Sequence, residues 1–287
     1  MGSTPEPLMD HTLLHAPLGQ SVQYPTEYDA GLLFPIARAE ARREIGIADN
    51  ALPFIGWDLW NAYEMSWLNL KGLPQVGILR VRVRCDSSNI IESKSFKLYL
   101  NSFNQSRFAN QQDVMRLLAR DLTHAAAGEV DLHMIDPNKF DQEPLKEFEG
   151  IDLDKQDIEI EQYQTDSTLL KLSMNQTSGP VTEQFYSRLL KSNCPVTGQP
   201  DWACVQIKYT GKQIDPAGLL KYIVSFRMHN GFHENCVERI FTDITRFCAP
   251  ESLSVFARYT RRGGLDINPW RATPGMPSPQ WSRSARQ

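Results

Sequence analysis

The segment "SNCPVTGQPD", residues 192 to 201, places a thiol at Cys194 and a carboxylate at Asp201 in a stretch rich in turn-forming residues. A thiolate is the side chain best suited to attack an electrophilic carbon near neutral pH, and an acid beside it can protonate the charge that such an attack leaves. A cysteine chosen at random is more often a small buried hydrophobe. The polar setting of Cys194 predicts an exposed loop instead, whereas Cys85, Cys204, Cys236 and Cys248 all fall in strand or helix patterns. Asp201 is the only carboxylate of the loop, and taken alone it reads more simply as an Asx turn or strand-start cap. An aspartic acid that stays protonated near neutral pH needs its pKa raised, by burial or by a nearby anion such as the thiolate.

Three further constellations could do chemistry. Glu92-Ser93-Lys94 is either a capped helix start with a solvated lysine or a point charge for a phosphate. Phe232-His233-Glu234 resembles a helix N-terminus, where acids are common, and Phe232 reads equally as a stacking platform or as core. In "TRRGG", Arg262 and Gly263 put positive charge beside backbone that can approach a ligand closely; the plainer alternative is a strand-ending turn. There is no G-x-G-x-x-G, so a Rossmann-type cofactor domain is not expected.

The elements that must carry these residues are duplicated. Strict alternation in "LRVRVRC" sets Leu79, Val81, Val83 and Cys85 on one face and three arginines on the other, the period of a half-buried strand; "ACVQIKY" (203 to 209) repeats it. "YLNSF" (99 to 103) answers "YIVSF" (222 to 226), and "ARDLT" (119 to 123) answers "FTDIT" (241 to 245). Helical spacing in Val114, Leu117, Leu118 and Leu122 returns in Val237, Ile240, Phe241 and Ile244. The repeated unit is therefore strand, helix, helix, strand, and the class is α+β with antiparallel sheets and helices on one face. Residues 20–135 and 162–272 form the two modules. The acid-rich stretch 136–161 is read as a solvated connector, and 1–20 and 273–287 as mobile ends.

Polar groups kept by only one copy are candidates for a site shared at the junction. Glu92-Ser93-Lys94 faces Asp215-Pro216-Ala217, and Phe232-His233-Glu234 faces Phe108-Ala109-Asn110. With "ESKSFKLYLNSFNQ", "NCPVTGQPDWACVQIKY", "GFHENCVERI" and "YTRRGGLDINPWR" assembled, the chain resembles the long, two-module form of the NADPH-dependent nitrile reductases. These convert 7-cyano-7-deazaguanine to its aminomethyl form on the route to queuosine, a modified tRNA base. The resemblance runs from about residue 20 to about residue 272 and implies tandem tunnelling-fold (ββααββ) modules that assemble into a barrel. It implies Cys194 as nucleophile and Asp201 as proton donor. Ile91, Glu92, Ser93, Phe232, His233 and Glu234 would border the substrate, and Ser93, Lys94, Arg262 and Gly263 would meet NADPH. A guanine-like ring offers N1–H and a 2-amino group side by side, which one carboxylate, Glu234, can accept together.

The net charge of −4 argues against a general polyanion binder, although six arginines between 258 and 287 against the single acid Asp266 could grip one phosphate. The start "MGSTPEPLMDHTLL" lacks the form of a signal peptide, no apolar run approaches a membrane span, and the odd cysteine count contains no C-x-x-C pair. A cytoplasmic homo-oligomer is expected, a homodimer first, with no metal and no direct contact with nucleic acid. Two rival readings stay open: a metal-dependent cyclohydrolase using Cys194 and His233 as ligands, and a catalytically silent purine-binding module.

Overall fold

The computed structural model describes residues 24–48 and 51–287. The beginning of the first module at residue 20 and the N-terminal end expected to be mobile lie outside the described residues. In chain order the elements are β1 (Pro35–Ala37), α1 (Arg38–Glu44), β2 (Ile55–Leu68), β3 (Pro74–Arg84), β4 (Asn89–Ile91), α2 (Ser93–Asn101), α3 (Gln111–Ala126), β5 (Val130–Ile135), β6 (Ile151–Asp152), β7 (Val181–Asn193), β8 (Pro200–Gly211), α4 (Pro216–Ser225), α5 (His233–Cys248), β9 (Ser252–Tyr259) and β10 (Leu265–Ala272). Eight strands make one open sheet in the order β5-β3-β2-β10-β9-β8-β7-β6, antiparallel throughout except for the short β6 beside β7. β1 and β4 pair separately.

Alternation explains the core. Leu79, Val81 and Val83 of β3 are buried under α2 and α3, while Val205, Ile207 and Tyr209 of β8 are buried under α4 and α5. Burying each such side chain contributes about 1.5–3 kcal/mol, and a slip of one residue would turn the row outward, so the pattern sets the register. The helices all lie on this one face.

The duplication persists in fine detail. Tyr99 donates to Asp121 at 2.8 Å and Tyr222 to Asp243 at 2.7 Å. Ser102 and Ser225 each donate back to the tyrosine carbonyl three residues earlier, both at 2.6 Å. Both long helices end on a left-handed alanine, Ala127 at φ 47° and Ala249 at φ 45°. Glu92 caps α2 as Asp215 caps α4. The N-cap of α5 is Phe232 and that of α3 is Asn110, so the two helix starts align His233 with Gln111. Pairing Phe232 with Phe108 by residue type is therefore out of register by two positions.

β10 is the seam. It pairs along its whole length with β2, from Leu265 opposite Ala62 to Ala272 opposite Ile55, but with β9 only at Trp270–Ala272. Toward Tyr259 and Leu265 the two strands part, and a pocket opens between the halves on the helix-bearing face.

The opposite face is covered by the segments expected to be loose. Phe148 from the acidic connector and Met276 and Trp281 from the C-terminal segment pack on Trp57, Leu59, Phe256 and Trp270. Arg258, 1% exposed, lies 3.6 Å from the Phe148 ring centroid and donates to Lys146 O and Ser282 O. Gln287 reaches into the split, donating to Tyr259 O and Asn268 Oδ1. Residues 273–287 are thus packed rather than mobile: the outer row of β2, β9 and β10 is apolar, and the connector and the C-terminal segment cover it. The connector also donates β6, and Asp152 and Asp154 pair with Arg188.

Candidate active site

Local geometry brings the Cys194 turn to the start of α5. Cys194 N–H donates to Gln199 O, and Gly198 N–H, at a positive φ of 66°, donates back to Cys194 O. Asn193 is tied to the loop before α5 by two backbone bonds, its own N–H to His229 O and Gly231 N–H to its carbonyl. Ser192 stands opposite Asp201 in the β7–β8 register. The segment Arg262-Gly263-Gly264-Leu265 is a tight hairpin turn closed by reciprocal backbone bonds, with both glycines at positive φ, the primed geometry that suits hairpins. A Cβ on Gly264 would sit 2.4 Å from the Glu64 carboxyl carbon. On the other wall α2 brings in Ser93, Lys94 and Lys97.

These parts enclose a cavity of about 320 Å³. Cys194, Asp201, Ile91, Ser93, Lys94, Phe232, His233, Glu234, Arg262 and Gly263 all line it. Glu92 does not: its carboxylate accepts the N–H groups of Lys94 and Ser95 at the start of α2, and it is 1% exposed. Cys194 is not in an exposed loop either. It is 5% exposed and packs against Phe34 and Val196, because the turn folds inward onto the loop before α5.

Asp201 also departs from expectation. Burial pushes its carboxyl toward the neutral form, but His233 and Arg262 outweigh that and hold its pKa below the ordinary value. Arg262 Nη1 lies 2.6 Å from Oδ1, and His233 Nε2 3.3 Å from Oδ2. The residue singled out as a proton donor is therefore an ion-paired carboxylate in this structure. His233 stacks on Tyr259, and its Nδ1 is buried with no hydrogen-bond partner among the described residues.

Glu234 is 2% exposed, and its carboxylate meets only its own backbone N–H among the described residues. Burial, reinforced by the charge of Asp58, raises its pKa to about 7. Behind it a fully buried network links Arg38, Arg42, Asp58, Glu238 and Arg271 across the seam.

Trp60 and Lys97 also line the cavity and were not singled out from the sequence. Lys97 follows Lys94 by three positions, one helical turn on the same face, a signal present in the quoted motif. Trp60 carried none, because a strand tryptophan reads as core. Lys97 is held by Glu64 at 2.9 Å and by Gly263 O, which joins α2 to the glycine turn. With Lys94 and Arg262 nearby, this donor set suits the phosphates of an anionic dinucleotide. Among the described residues no group of three or more His, Cys, Asp and Glu side chains is placed to hold a metal ion, and no helix is long and apolar enough to cross a membrane.

A thiol, a carboxylate and an imidazole gathered between two halves of a duplicated α+β chain, with cations on one wall, make a pocket whose side chains suit nucleophilic and proton-transfer chemistry. Residues 24–134 match the family described as nitrile reductase, 7-cyano-7-deazaguanine-reductase N-term, and residues 200–277 match the family QueF-like protein. The chain is 58% identical over 275 residues to a protein of Bordetella avium (96% of this chain, 99% of that one) and 55% identical over 274 to one of Cupriavidus metallidurans (95% and 98%). Both relatives bear the name NADPH-dependent 7-cyano-7-deazaguanine reductase. The chain belongs to the 7-cyano-7-deazaguanine reductase family. A crystal structure of the archaeosine synthase QueF-Like in the apo form aligns with 35% of this chain and 99% of that one at 17% identity and a TM-score of 0.31, too distant to carry an argument.

Proposed function

We propose that the seam pocket reduces the nitrile of 7-cyano-7-deazaguanine to the aminomethyl group with NADPH, a step toward queuosine. The observation that carries this reading is the convergence of Cys194, Asp201 and His233 from one half with Ser93 and Lys94 from the other on a single cavity. Glu234, buried and lacking an external donor, is the acceptor for N1–H and the 2-amino group of the base, and the half-buried Phe232 flanks the ring. Ile91 supports the substrate from the first module. The carboxylate of Glu92 acts by fixing the start of α2, which presents Ser93 and Lys94.

The ionised state of Asp201 fits the first step. Cys194 carries the proton that the nitrile nitrogen needs. Asp201 receives it from sulfur as the C–S bond forms, then delivers it to nitrogen, so the thioimide arises with no proton drawn from outside. NADPH, when bound, supplies one hydride per molecule, and a nitrile needs two to become an amine. Lys94, Arg262 and the backbone at Gly263 hold its phosphates. After the first reduction Cys194 departs as thiolate, and the resulting imine is held with Asp201 and His233 beside its nitrogen. Burial of the pocket keeps water from the imine. The sheet is open at β5 and β6, so barrel closure would come from assembly of copies, a homodimer first.

The test is intact-mass spectrometry of the protein with 7-cyano-7-deazaguanine and no NADPH. An adduct of substrate mass, absent in Cys194→Ala, is expected, followed by oxidation of two NADPH per amine formed. Turnover without any adduct would remove Cys194 as nucleophile.

A further inference from the structure

We infer that the buried ionic network behind α5 governs how the pocket recognises its base: Asp58 and Arg38, with their partners, are positioning residues that set the charge Glu234 presents to the ring. This rests on the reading of Glu234 as the acceptor for N1–H and the 2-amino group.

The network joins both halves around one helix. α1 supplies Arg38 and Arg42, β2 supplies Asp58, α5 supplies Glu238 and β10 supplies Arg271. Glu238 is held by Arg42 at 2.7 Å and by Arg271 at 2.8 Å, and Asp58 by Arg38 at 2.6 Å and by Arg271 at 2.8 Å. None of the five is more than 5% exposed. Three arginines thus meet two carboxylates, which leaves one positive charge unmatched and away from water. Glu234 stands one helical turn before Glu238, on the same face of α5, and is itself 2% exposed. It is the third carboxylate, and its ionised form balances the charge.

Two members act on Glu234 in opposite senses. Asp58 favours its neutral form, whereas Arg38, together with His233, favours the ionised one. An ionised carboxylate accepts two hydrogen bonds from one edge of a guanine-like ring. A neutral carboxyl turns one oxygen into a donor and loses that match. A buried ion network adds little net stability over apolar side chains of the same volume, so its place one turn behind the base acceptor gives it a task in recognition. The other charged or titratable groups around the pocket are His233 on the same helix, Cys194 and Asp201 on the β7–β8 hairpin, Arg262 in the β9–β10 turn, and Lys94 and Lys97 on α2. Cys85 borders the network from behind, its carbonyl accepting from Arg42.

The test is calorimetric titration with 7-cyano-7-deazaguanine from about pH 5 to 9 in a Cys194→Ala background, so that binding is read without bond formation. The part of the pH dependence that Glu234→Gln abolishes reports on Glu234, with a midpoint expected at about 7. Asp58→Asn removes the acid and should lower that midpoint by about one pH unit. Arg38→Met removes the cation and should raise it by a similar step, one unit being tenfold in the ionised fraction. Arg38→Lys, which returns the charge, should restore it. A loss of packing alone lowers affinity at every pH and leaves the midpoint in place. An unmoved midpoint in either Asp58→Asn or Arg38→Met overturns the inference, and should only one of them fold, that one decides. Should neither fold, Arg42→Gln, which leaves Glu238 paired with Arg271, should raise the midpoint by a smaller step, and an unmoved midpoint there overturns it. A pH dependence with no part that Glu234→Gln removes would take away Glu234 as the base acceptor and the inference with it, while the Cys194 adduct would still test the reduction itself.

Discussion

The imidazole of His233 lies face to face with the ring of Tyr259, 3.8 Å between centroids and 11° from parallel. The stack, together with Asp201 at Nε2, fixes the ring plane at the cavity wall. His233→Ala should lower kcat by roughly 10²–10⁴, the range for a lost proton-transfer group. Tyr259→Leu leaves both ring nitrogens but removes the platform, so a smaller fall in kcat with little change in KM is expected. Steady-state NADPH oxidation measures both.

Glu234 should make substrate binding pH-dependent. Its carboxyl is neutral below its pKa of about 7 and can then no longer accept two donors from the base. The Kd for 7-cyano-7-deazaguanine should weaken by about tenfold per unit as pH falls below 7, and Glu234→Gln should bind weakly without that slope. Stability without ligand moves the other way. Because burial raises the folded pKa above the ordinary value of 4.5, the contribution of this group is complete below that value and is lost as pH rises through about 7. Thermal melts from pH 5 to 8 should therefore fall more steeply for the wild type than for Glu234→Gln.

The duplicated tyrosine–aspartate pairs should be unequal. Asp121 accepts from Tyr28 and Arg120 as well as Tyr99, whereas Tyr222 is the one hydrogen-bond donor to Asp243 among the described residues. Tyr222→Phe is expected to cost about 1 kcal/mol by taking from the half-buried Asp243 its one hydrogen-bond donor, and Tyr99→Phe less. Urea unfolding of the two variants checks the order.

The packed C-terminal segment predicts that Trp281→Ala destabilises the protein by about 1–2 kcal/mol, since the half-buried ring would no longer cover Trp57 and Trp270. A loose tail would lose nothing, and chemical denaturation distinguishes the two.

Much of the architecture was legible because it follows from local pattern. The alternation in "LRVRVRC" and "ACVQIKY" appears as β3 and β8, and the paired "YLNSF" and "YIVSF" motifs adopt the same hydrogen bonds in both halves. The turn at Gly263-Gly264 could be read from two adjacent glycines. Composition predicts a mobile tail, and the structure packs it, because composition says nothing about whether the sheet leaves an apolar face for Trp281 to cover. Residue type pairs Phe232 with Phe108, two positions away from Asn110, its true counterpart, because a helix cap is defined by backbone geometry that residue type does not show.

By itself the sequence determined which residues could do chemistry: a thiol and a carboxylate on one hairpin, an imidazole and a second carboxylate at a helix start, and cations on the opposite module. Only the tertiary structure decided their charge states. Asp201 is held ionised against its burial by His233 and by Arg262, the latter sixty-one positions away along the chain, and Glu234 is pushed toward neutrality by burial and by Asp58 from the other half. Proton affinity depends on desolvation and on distances through space, and neither is written in the spacing of residues along a chain.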